Sequence, residues 1–419
     1  MFKSLAFKIV YTVLMFIAGL LLSNLALPEY FGVVSLLILN ASLFSLVTGL
    51  GADTMILHML GNQKWNMPQA VYFMWRSVAV QVLLFVVLEG VAYATAGVSL
   101  LSNEEGATYF LLDAFYFCGL LLTEKFVALL YADHRATAGN IAMTIIATFY
   151  LVLLSLLYWM AGTTIETVLW IFAAQSFLQG LALSALFFSR HSPARLQKTD
   201  RSVRYFLGVS ALVMVTNVVQ LLAYRVDYWL IKSFYSNTEV GLYAQANKFA
   251  NLVWLLPNMV TQLLIPRFIS MQKQDVSRLF RVAFVANALT LAGTLVFAHI
   301  IFRFLLVEDY RAALPAFHLM LPGYFFWAAV IYFAGYFSWK GWFKLNLWGS
   351  MSCLLIIFTA DLLLIPKLSI NGAAIANSVA YTAVFVFYLF MLKKNAGLSV
   401  GELFHWQKND LQKTIRLLK

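Results

Sequence analysis

The sequence predicts an all-α polytopic membrane protein with twelve transmembrane helices, arranged as two six-helix lobes that repeat in parallel. Three observations support this prediction. First, 62% of the 419 residues are hydrophobic and only 11% are charged, whereas soluble domains carry about 25% charged residues. Second, apolar runs of about 20 residues, the length that spans a bilayer as a helix, recur along the chain. Third, the two halves of the chain share a weak internal repeat.

The apolar runs place the predicted spans, and short polar turns separate them. The opening MFKSLAFK precedes an apolar run that is too long for the core of a signal peptide, so we expect that run to be the first span. Pro257 and Pro322 fall within spans 8 and 10, where a kinked helix can act as a hinge. In order, the twelve spans are 6–27, 31–56, 69–97, 109–131, 139–161, 166–189, 205–233, 239–266, 282–306, 313–338, 345–365 and 371–392.

Basic residues are distributed unequally between the two sides of this arrangement. Twenty-one lysines and arginines fall in the loops and tail of one side, whereas the other side has only Arg311 and Lys367. The positive-inside rule therefore predicts that both termini are cytoplasmic. This bias accounts for the net charge of +11, so the charge does not require a nucleic-acid partner.

The basic segment 190–204 is the longest cytoplasmic link between spans, and it lies at the midpoint of the chain. We therefore expect it to be a linker between an N-terminal lobe at 1–189 and a C-terminal lobe at 205–392. A basic cytoplasmic tail follows at 393–419.

The internal repeat relates the start of span 2 to the start of span 8. Segment 28–32 matches segment 237–241, and counting on without a gap aligns His58 with Arg267. An even number of spans in each half returns the chain to the same side of the membrane, so the two halves run in parallel. In transporters, repeats of this kind enclose a substrate path between the lobes.

Spans 7 and 8 combine an apolar composition with polar and charged residues on one side. In span 7, Arg225, Asp227 and Lys232 share an arc of about 160°. In span 8, Asn251 lies on a polar stripe with Lys248 at its edge. Such a face inside a membrane lines water or a polar ligand, unless its groups hydrogen-bond to neighbouring helices instead. Because guanidinium and ammonium groups suit phosphate oxygens, we take these five residues as substrate-binding candidates.

Other ionisable residues lie inside the predicted spans, where an unpaired charge is costly. Asp113 and Glu124 share one face of span 4, where they could relay a proton, bind a cation or form structural ion pairs. Arg303 and Asp361 lie near the outer ends of their spans, and snorkelling to the interface would accommodate them. Arg76 lies near the cytoplasmic end of span 3.

The motifs of an enzyme or a cofactor protein are missing from the sequence. Both cysteines lie inside spans, the six histidines have no ligand spacing, and no G-x-x-x-x-G-K-[ST] motif occurs. A membrane glycosyltransferase or polymerase would need a large external loop, but the longest external stretch is 96–108. We therefore expect a transporter without a metal or cofactor.

Three blocks of sequence resemble the polysaccharide transporters of the MOP (multidrug/oligosaccharidyl-lipid/polysaccharide) superfamily, in particular the O-antigen-type flippases. The first two blocks are 225–231 (RVDYWLI) and 239–246 (EVGLYAQA), and the third is 365–366 (IP) followed by 370–376 (INGAAIA). The resemblance implies a MATE-like bundle in the bacterial cytoplasmic membrane. It also implies that the protein flips an undecaprenyl-pyrophosphate-linked oligosaccharide by alternating access, for the biosynthesis of a surface polysaccharide such as O-antigen, capsule or exopolysaccharide.

The resemblance also assigns residues and partners. It places Arg225 and Lys248 in a cationic substrate cavity, with Arg76 as the candidate from the N-terminal lobe. An arginine often closes span 2 in such proteins, where this sequence has His58. The expected partners are the lipid-linked glycan, membrane lipids, and the polymerase and chain-length machinery. The alternative function is a cation-coupled multidrug exporter of similar architecture, whose lobes would be expected to display carboxylates.

Overall fold

The computed structural model describes residues 2–52, 56, 59–60, 64–160, 163–191, 203–264 and 273–418. Its chain folds as two compact units, Met1–Val218 and Val219–Lys419, which we call the N-terminal unit and the C-terminal unit. Most of the predicted linker 190–204 lies outside the described residues, as do His58 and Arg267. The regular elements of the described residues are helices, which confirms the predicted all-α class.

Five long helices lie within the described part of the N-terminal unit. The first is bent at Leu27, whose φ of 53° and ψ of 173° are not helical. The next residue, Pro28, has no N–H and disfavours a helical conformation in the residue before it. The bend therefore separates the segments predicted as spans 1 and 2. In chain order the helices are α1 (Phe2–Gly49), α2 (Met67–Ala96), α3 (Ala107–Ala132), α4 (Ala136–Trp159) and α5 (Ile165–Phe188).

Helix α6 (Val203–Phe234) crosses the boundary between the units, and the other helices belong to the C-terminal unit. Short 3₁₀ segments at Asn251–Trp254 and Glu308–Ala313 lead into α8 and α10. In chain order the remaining helices are α7 (Asn237–Ala250), α8 (Leu255–Leu264), α9 (Lys273–Phe304), α10 (Leu314–Trp339), α11 (Phe343–Leu368), α12 (Ile370–Ala396), α13 (Val400–Phe404) and α14 (Asp410–Leu418).

Within the described ranges, nine helical stretches are long and apolar enough to cross a membrane. They confirm a multi-pass membrane protein. The nine do not include α6, α7 or α8, which carry the polar residues of predicted spans 7 and 8, and α1 is counted once although it is bent. Twelve spans in two lobes therefore stay a prediction.

Small residues allow the closest helix crossings in both units. A Cβ atom on Gly119 of α3 would lie 2.3 Å from the backbone of Ser176 in α5, and one on Gly180 would lie 2.8 Å from the Gly119 carbonyl oxygen. In the C-terminal unit, a Cβ on Gly323 of α10 would lie 2.4 Å from the Cα of Ser378 in α12. Helices in membranes associate through such close packing, because lipid is as apolar as the helix surface.

Each of the two prolines predicted as hinges interrupts the helical hydrogen bonding. Pro257 lacks the N–H that would reach the carbonyl of Val253, and the 3₁₀ segment Asn251–Trp254 lies at this point. Pro322 is inside α10, and the Ser378 hydroxyl of α12 accepts from the Gly323 N–H at 3.2 Å and donates to the Leu319 carbonyl. A side chain from another helix thus replaces part of the hydrogen bonding beside Pro322.

Helices α13 and α14 pack against the first half of α9. Arg281 of α9 donates to both carboxylate oxygens of Asp410, from Nε at 2.7 Å and from Nη2 at 2.9 Å. Both side chains are buried. The ring of Phe404 in α13 lies 4.8 Å from that of Phe284 in α9. An ion pair and an aromatic contact therefore hold the C-terminal helices on this end of α9.

Candidate functional site

Arg225 of α6 is partly buried and is held by neutral partners. Its Nη1 donates to Asn247 Oδ1 of α7 at 2.9 Å and to Tyr228 Oη at 3.1 Å. The guanidinium also lies 5.3 Å from the centroid of the Tyr228 ring. Within the described ranges, no carboxylate forms a salt bridge with Arg225. Its positive charge is therefore oriented but not neutralised by direct contact, which suits an anionic ligand.

Asn247 connects the polar faces of the two predicted spans. Its Oδ1 also accepts from Asn251 Nδ2 at 2.6 Å, so Arg225 and Asn251 share this one oxygen. Lys248 follows in α7, and its Nζ is shielded from solvent. Lys232 lies two turns beyond Arg225 and donates to Asn237 Oδ1 at 2.6 Å, at the turn between α6 and α7. Lys248 thus follows the residue that holds Arg225, whereas Lys232 lies at the turn between the two helices.

Asp227 is fully buried and joins three helices of the C-terminal unit. It accepts hydrogen bonds from the Tyr243 hydroxyl of α7, from Asn377 Nδ2 of α12 at 2.9 Å, and from the Tyr228 backbone N–H. Asn377 Nδ2 also donates to the Tyr243 oxygen at 2.6 Å. This arrangement favours the helix-packing alternative for Asp227, which lies about 200° around α6 from Arg225.

Asp361 of α11 is a second buried carboxylate of this unit. The sequence predicted that it would snorkel to the membrane interface, and this prediction is wrong. The side chain is 0% exposed, and among the described residues neither of its oxygens has a hydrogen-bond partner. It interacts electrostatically with Asp227. A carboxylate can take up a proton, and carboxylate and amide oxygens can bind a hard cation, so Asp227, Asp361 and Asn377 are candidates for holding one.

Aromatic rings lie beside the cationic residues. Trp254 stacks on Tyr324 with centroids 4.3 Å apart, and its Nε1 donates to the Tyr324 carbonyl at 3.0 Å. Trp327 lies 4.7 Å from Tyr381 and donates to Tyr224 Oη at 3.2 Å. Sequence periodicity does not reveal that the rings from α10 and α12 join Tyr224 and Trp254, because Tyr324, Trp327 and Tyr381 are 70 or more residues away along the chain.

The N-terminal unit contributes Arg76 as its predicted cation. The side chain is exposed on α2, and its guanidinium lies 6.0 Å from the ring centroid of Tyr72, one turn earlier. Arg76 is therefore accessible on its own unit.

The buried carboxylates of the N-terminal unit hold a turn. Asp113 Oδ2 accepts from the backbone N–H groups of Leu101 and Ser102, both at 2.9 Å. Glu89 Oε2 accepts from the Leu100 N–H at 2.9 Å. These contacts favour a structural role for Asp113, as a hydrogen-bond acceptor in the turn. Glu124 lies outside this turn: its side chain is exposed and accepts from the Ser45 hydroxyl of α1 at 2.8 Å. Glu89 was not singled out by its sequence pattern.

Comparison with known protein families shows that more than half of the sequence matches one of them. The family described as "Polysaccharide biosynthesis protein" matches residues 2–272. No curated protein matches the sequence.

Solved structures with the same fold are transporters of the MOP superfamily. The lipid II flippase MurJ in an inward closed conformation superposes with a TM-score of 0.71 at 16% identity, over 98% of this chain and 91% of that one. An inward-facing multidrug resistance MATE family transporter of the superfamily superposes with a TM-score of 0.69 at 12% identity, over 95% and 99%. A MOP superfamily transporter from Pyrococcus furiosus gives 0.57 at 12% identity, over 94% of each chain. These identities establish a shared fold. Together with the family match, they show that the chain is a member of the polysaccharide biosynthesis protein family with a MATE- and MurJ-like fold.

Proposed function

We propose that the protein is a flippase that moves an undecaprenyl-pyrophosphate-linked oligosaccharide repeat unit across the bacterial cytoplasmic membrane, for the biosynthesis of a surface polysaccharide. Transport proceeds by alternating access. Arg225, Lys248 and Lys232 bind the pyrophosphate in the C-terminal unit, and Arg76 is the candidate cation of the N-terminal unit. Asp227 positions these helices, and Asn251 orients the Asn247 amide that holds Arg225.

One observation carries the proposal: the Arg225 guanidinium is fixed by Asn247 and Tyr228, yet both are neutral. A fixed cation whose hydrogen-bond partners are neutral favours an anionic substrate, since a pyrophosphate can accept from its remaining N–H groups. The match to a family described by polysaccharide biosynthesis points in the same direction.

The test is deletion of the gene in its native cell, followed by profiling of lipid-linked oligosaccharide and surface polymer. We expect the lipid-linked oligosaccharide to accumulate on the cytoplasmic leaflet and the surface polymer to disappear. Restoring the wild-type gene should reverse both changes. A deletion strain with a normal surface polymer would contradict the proposal.

The alternative function is a cation-coupled multidrug exporter. The buried carboxylates Asp227 and Asp361 favour it, because they could bind a coupling cation or attract a cationic drug. In that case the deletion would sensitise cells to cationic dyes and leave the polymer intact. Measuring dye resistance and surface glycan in the same strain separates the two functions.

A further inference from the structure

A second cationic site lies at the end of α9 opposite to α13 and α14. His299, Arg303 and Arg311 line a cavity of about 550 Å³. Phe304 and Leu314 form part of its apolar wall. None of the candidate substrate residues lines this cavity, so it is a separate site with both a basic and an apolar lining.

The basic groups of this cavity are only weakly neutralised. Arg311 donates to Glu308 Oε1 at 2.7 Å, but their side chains are 54% and 80% exposed. Such an exposed pair is weak, so an anion can displace Glu308. The Arg303 guanidinium lies 5.4 Å from the Phe304 ring, and it forms no ion pair with any residue that the structure describes. Two guanidinium groups are therefore accessible at one cavity.

A pair of histidines orients the third basic group. The His299 Nδ1 lies 2.8 Å from the Leu295 carbonyl oxygen, which can only accept, so Nδ1 carries the proton. Its Nε2 then faces the Nε2 of His318 at 3.3 Å. The imidazole of His299 is thus held at the cavity by contacts with two helices, α9 and α10.

An exposed apolar face of α9 leads to the cavity. Leu289, Val296, Ile300 and Phe304 are 70%, 61%, 49% and 70% exposed. Their spacing of seven, four and four residues places them on one side of the helix. The face is about 22 Å long at a rise of 1.5 Å per residue. A long apolar chain can lie along this face while a head group reaches Arg303 and Arg311.

We propose that this site binds the pyrophosphate or phosphate head group of an isoprenoid lipid whose chain follows the exposed face of α9. The inference rests on the proposed function, in which the lipid carrier is the hydrophobic part of the substrate. Under the predicted topology the site lies on the outer side, where it would hold the carrier after the glycan has crossed. Two guanidinium groups match the multiple charges of a pyrophosphate better than the single charge of a phospholipid phosphodiester.

Binding of farnesyl diphosphate to the full-length purified protein in detergent tests this site. The Arg225→Ala background weakens the other candidate site, so a further change caused by a cavity substitution in that background reports on the cavity. There, Arg303→Ala or Arg311→Ala should weaken binding about tenfold and the double variant about a hundredfold. Arg303→Lys should lose less than Arg303→Ala, because it keeps the charge but not the bidentate fork. Lys367→Ala is the matched control, since it removes an exposed cation at the end of α11 and should leave binding unchanged.

Three results would overturn the inference: wild-type affinity in the double variant, equal affinity for inorganic pyrophosphate, or equal displacement by phosphatidylglycerol. Equal affinity for inorganic pyrophosphate would show that the cavity binds anions without recognising the lipid chain. Equal displacement by phosphatidylglycerol would show that it binds phospholipids in general. Thermal unfolding of each variant checks that the fold is intact. Because Arg303 and Arg311 are exposed, we expect their replacement to leave the fold unchanged. The outcome is separate from the deletion experiment, because a normal surface polymer would reject the flippase function whatever the purified protein binds.

Discussion

Replacing Asp410 by asparagine should detach the C-terminal helices α13 and α14 from α9. The Asp410 side chain is 1% exposed and that of Arg281 is 5% exposed, and two hydrogen bonds of 2.7 and 2.9 Å join them. Removing one partner of a buried pair costs about 3–5 kcal/mol, mainly because the other charge stays buried and uncompensated. At about 3 kcal/mol, the population of the detached state rises roughly a hundredfold.

Limited trypsin digestion at Lys408 and Lys413 measures this population, since cleavage tracks the open state when reclosing is fast. We expect the initial cleavage rate of Asp410→Asn to rise by about two orders of magnitude. Glu308→Gln is the control, because its pair with Arg311 is exposed and is worth at most about 1 kcal/mol. If the cleavage rate of Asp410→Asn stays within about threefold of wild type, the ion pair is not the main contact that holds α13 and α14 on α9.

The same contact gives the attachment a pH dependence. The hydrogen-bonded guanidinium of Arg281 holds the pKa of Asp410 below its ordinary value. A carboxylate whose pKa is lower in the attached state stabilises that state above the ordinary pKa of about 3.9. The stabilisation is lost as the pH falls through the lowered pKa. Trypsin is inactive there, so hydrogen exchange of segment 400–414 should show constant protection from pH 8 to 5 and loss only in stronger acid.

Three further predictions concern the substrate site, the helix packing and the topology. Arg225→Ala should abolish surface-polymer production at normal protein abundance, and Arg225→Lys should retain part of it, because a point charge replaces a bidentate fork; wild-type polymer levels in both variants would exclude Arg225 from substrate binding. Gly323→Leu should lower the thermal stability in detergent, since even its Cβ would lie 2.4 Å from the Ser378 Cα, whereas Gly293→Leu, where a Cβ meets nothing within 4 Å, should leave it unchanged. Single cysteines at positions 105 and 198, in a background without Cys118 and Cys353, should react oppositely with a membrane-impermeant thiol reagent, and labelling of position 198 in intact cells would reverse the predicted orientation.

The sequence predicted only part of the candidate site. The helical arc of α6 predicted that Arg225 would face a polar environment, and Asn247 and Asn251 lie close enough in sequence for their stripe to be visible. The hydrogen bonds that define the site join more distant segments. Asn377 reaches Asp227 across 150 residues, and helical periodicity carries no information about such a pairing.

For Asp361, the sequence predicted the position along the helix correctly but the surroundings of the side chain wrongly. Its place near the end of an apolar span suggested snorkelling, because depth along a span is all that one helix reveals. In the folded unit the side chain is 0% exposed and interacts with Asp227. The direction in which a helix face points depends on its neighbours, and those neighbours are set by packing.

The sequence by itself determined the all-α membrane class and the approximate helix positions, because hydropathy and periodicity are local properties. Tertiary structure alone decided which polar groups meet. Neutral side chains surround the Arg225 guanidinium, and Asp361 is buried where it interacts with Asp227. Ser378 of α12 hydrogen-bonds to the backbone beside Pro322. Asp410 pairs with Arg281, which is 129 residues away along the chain. The physical reason is that a helix forms through bonds between residues four apart, whereas helix association depends on complementary surfaces that distant parts of the chain supply.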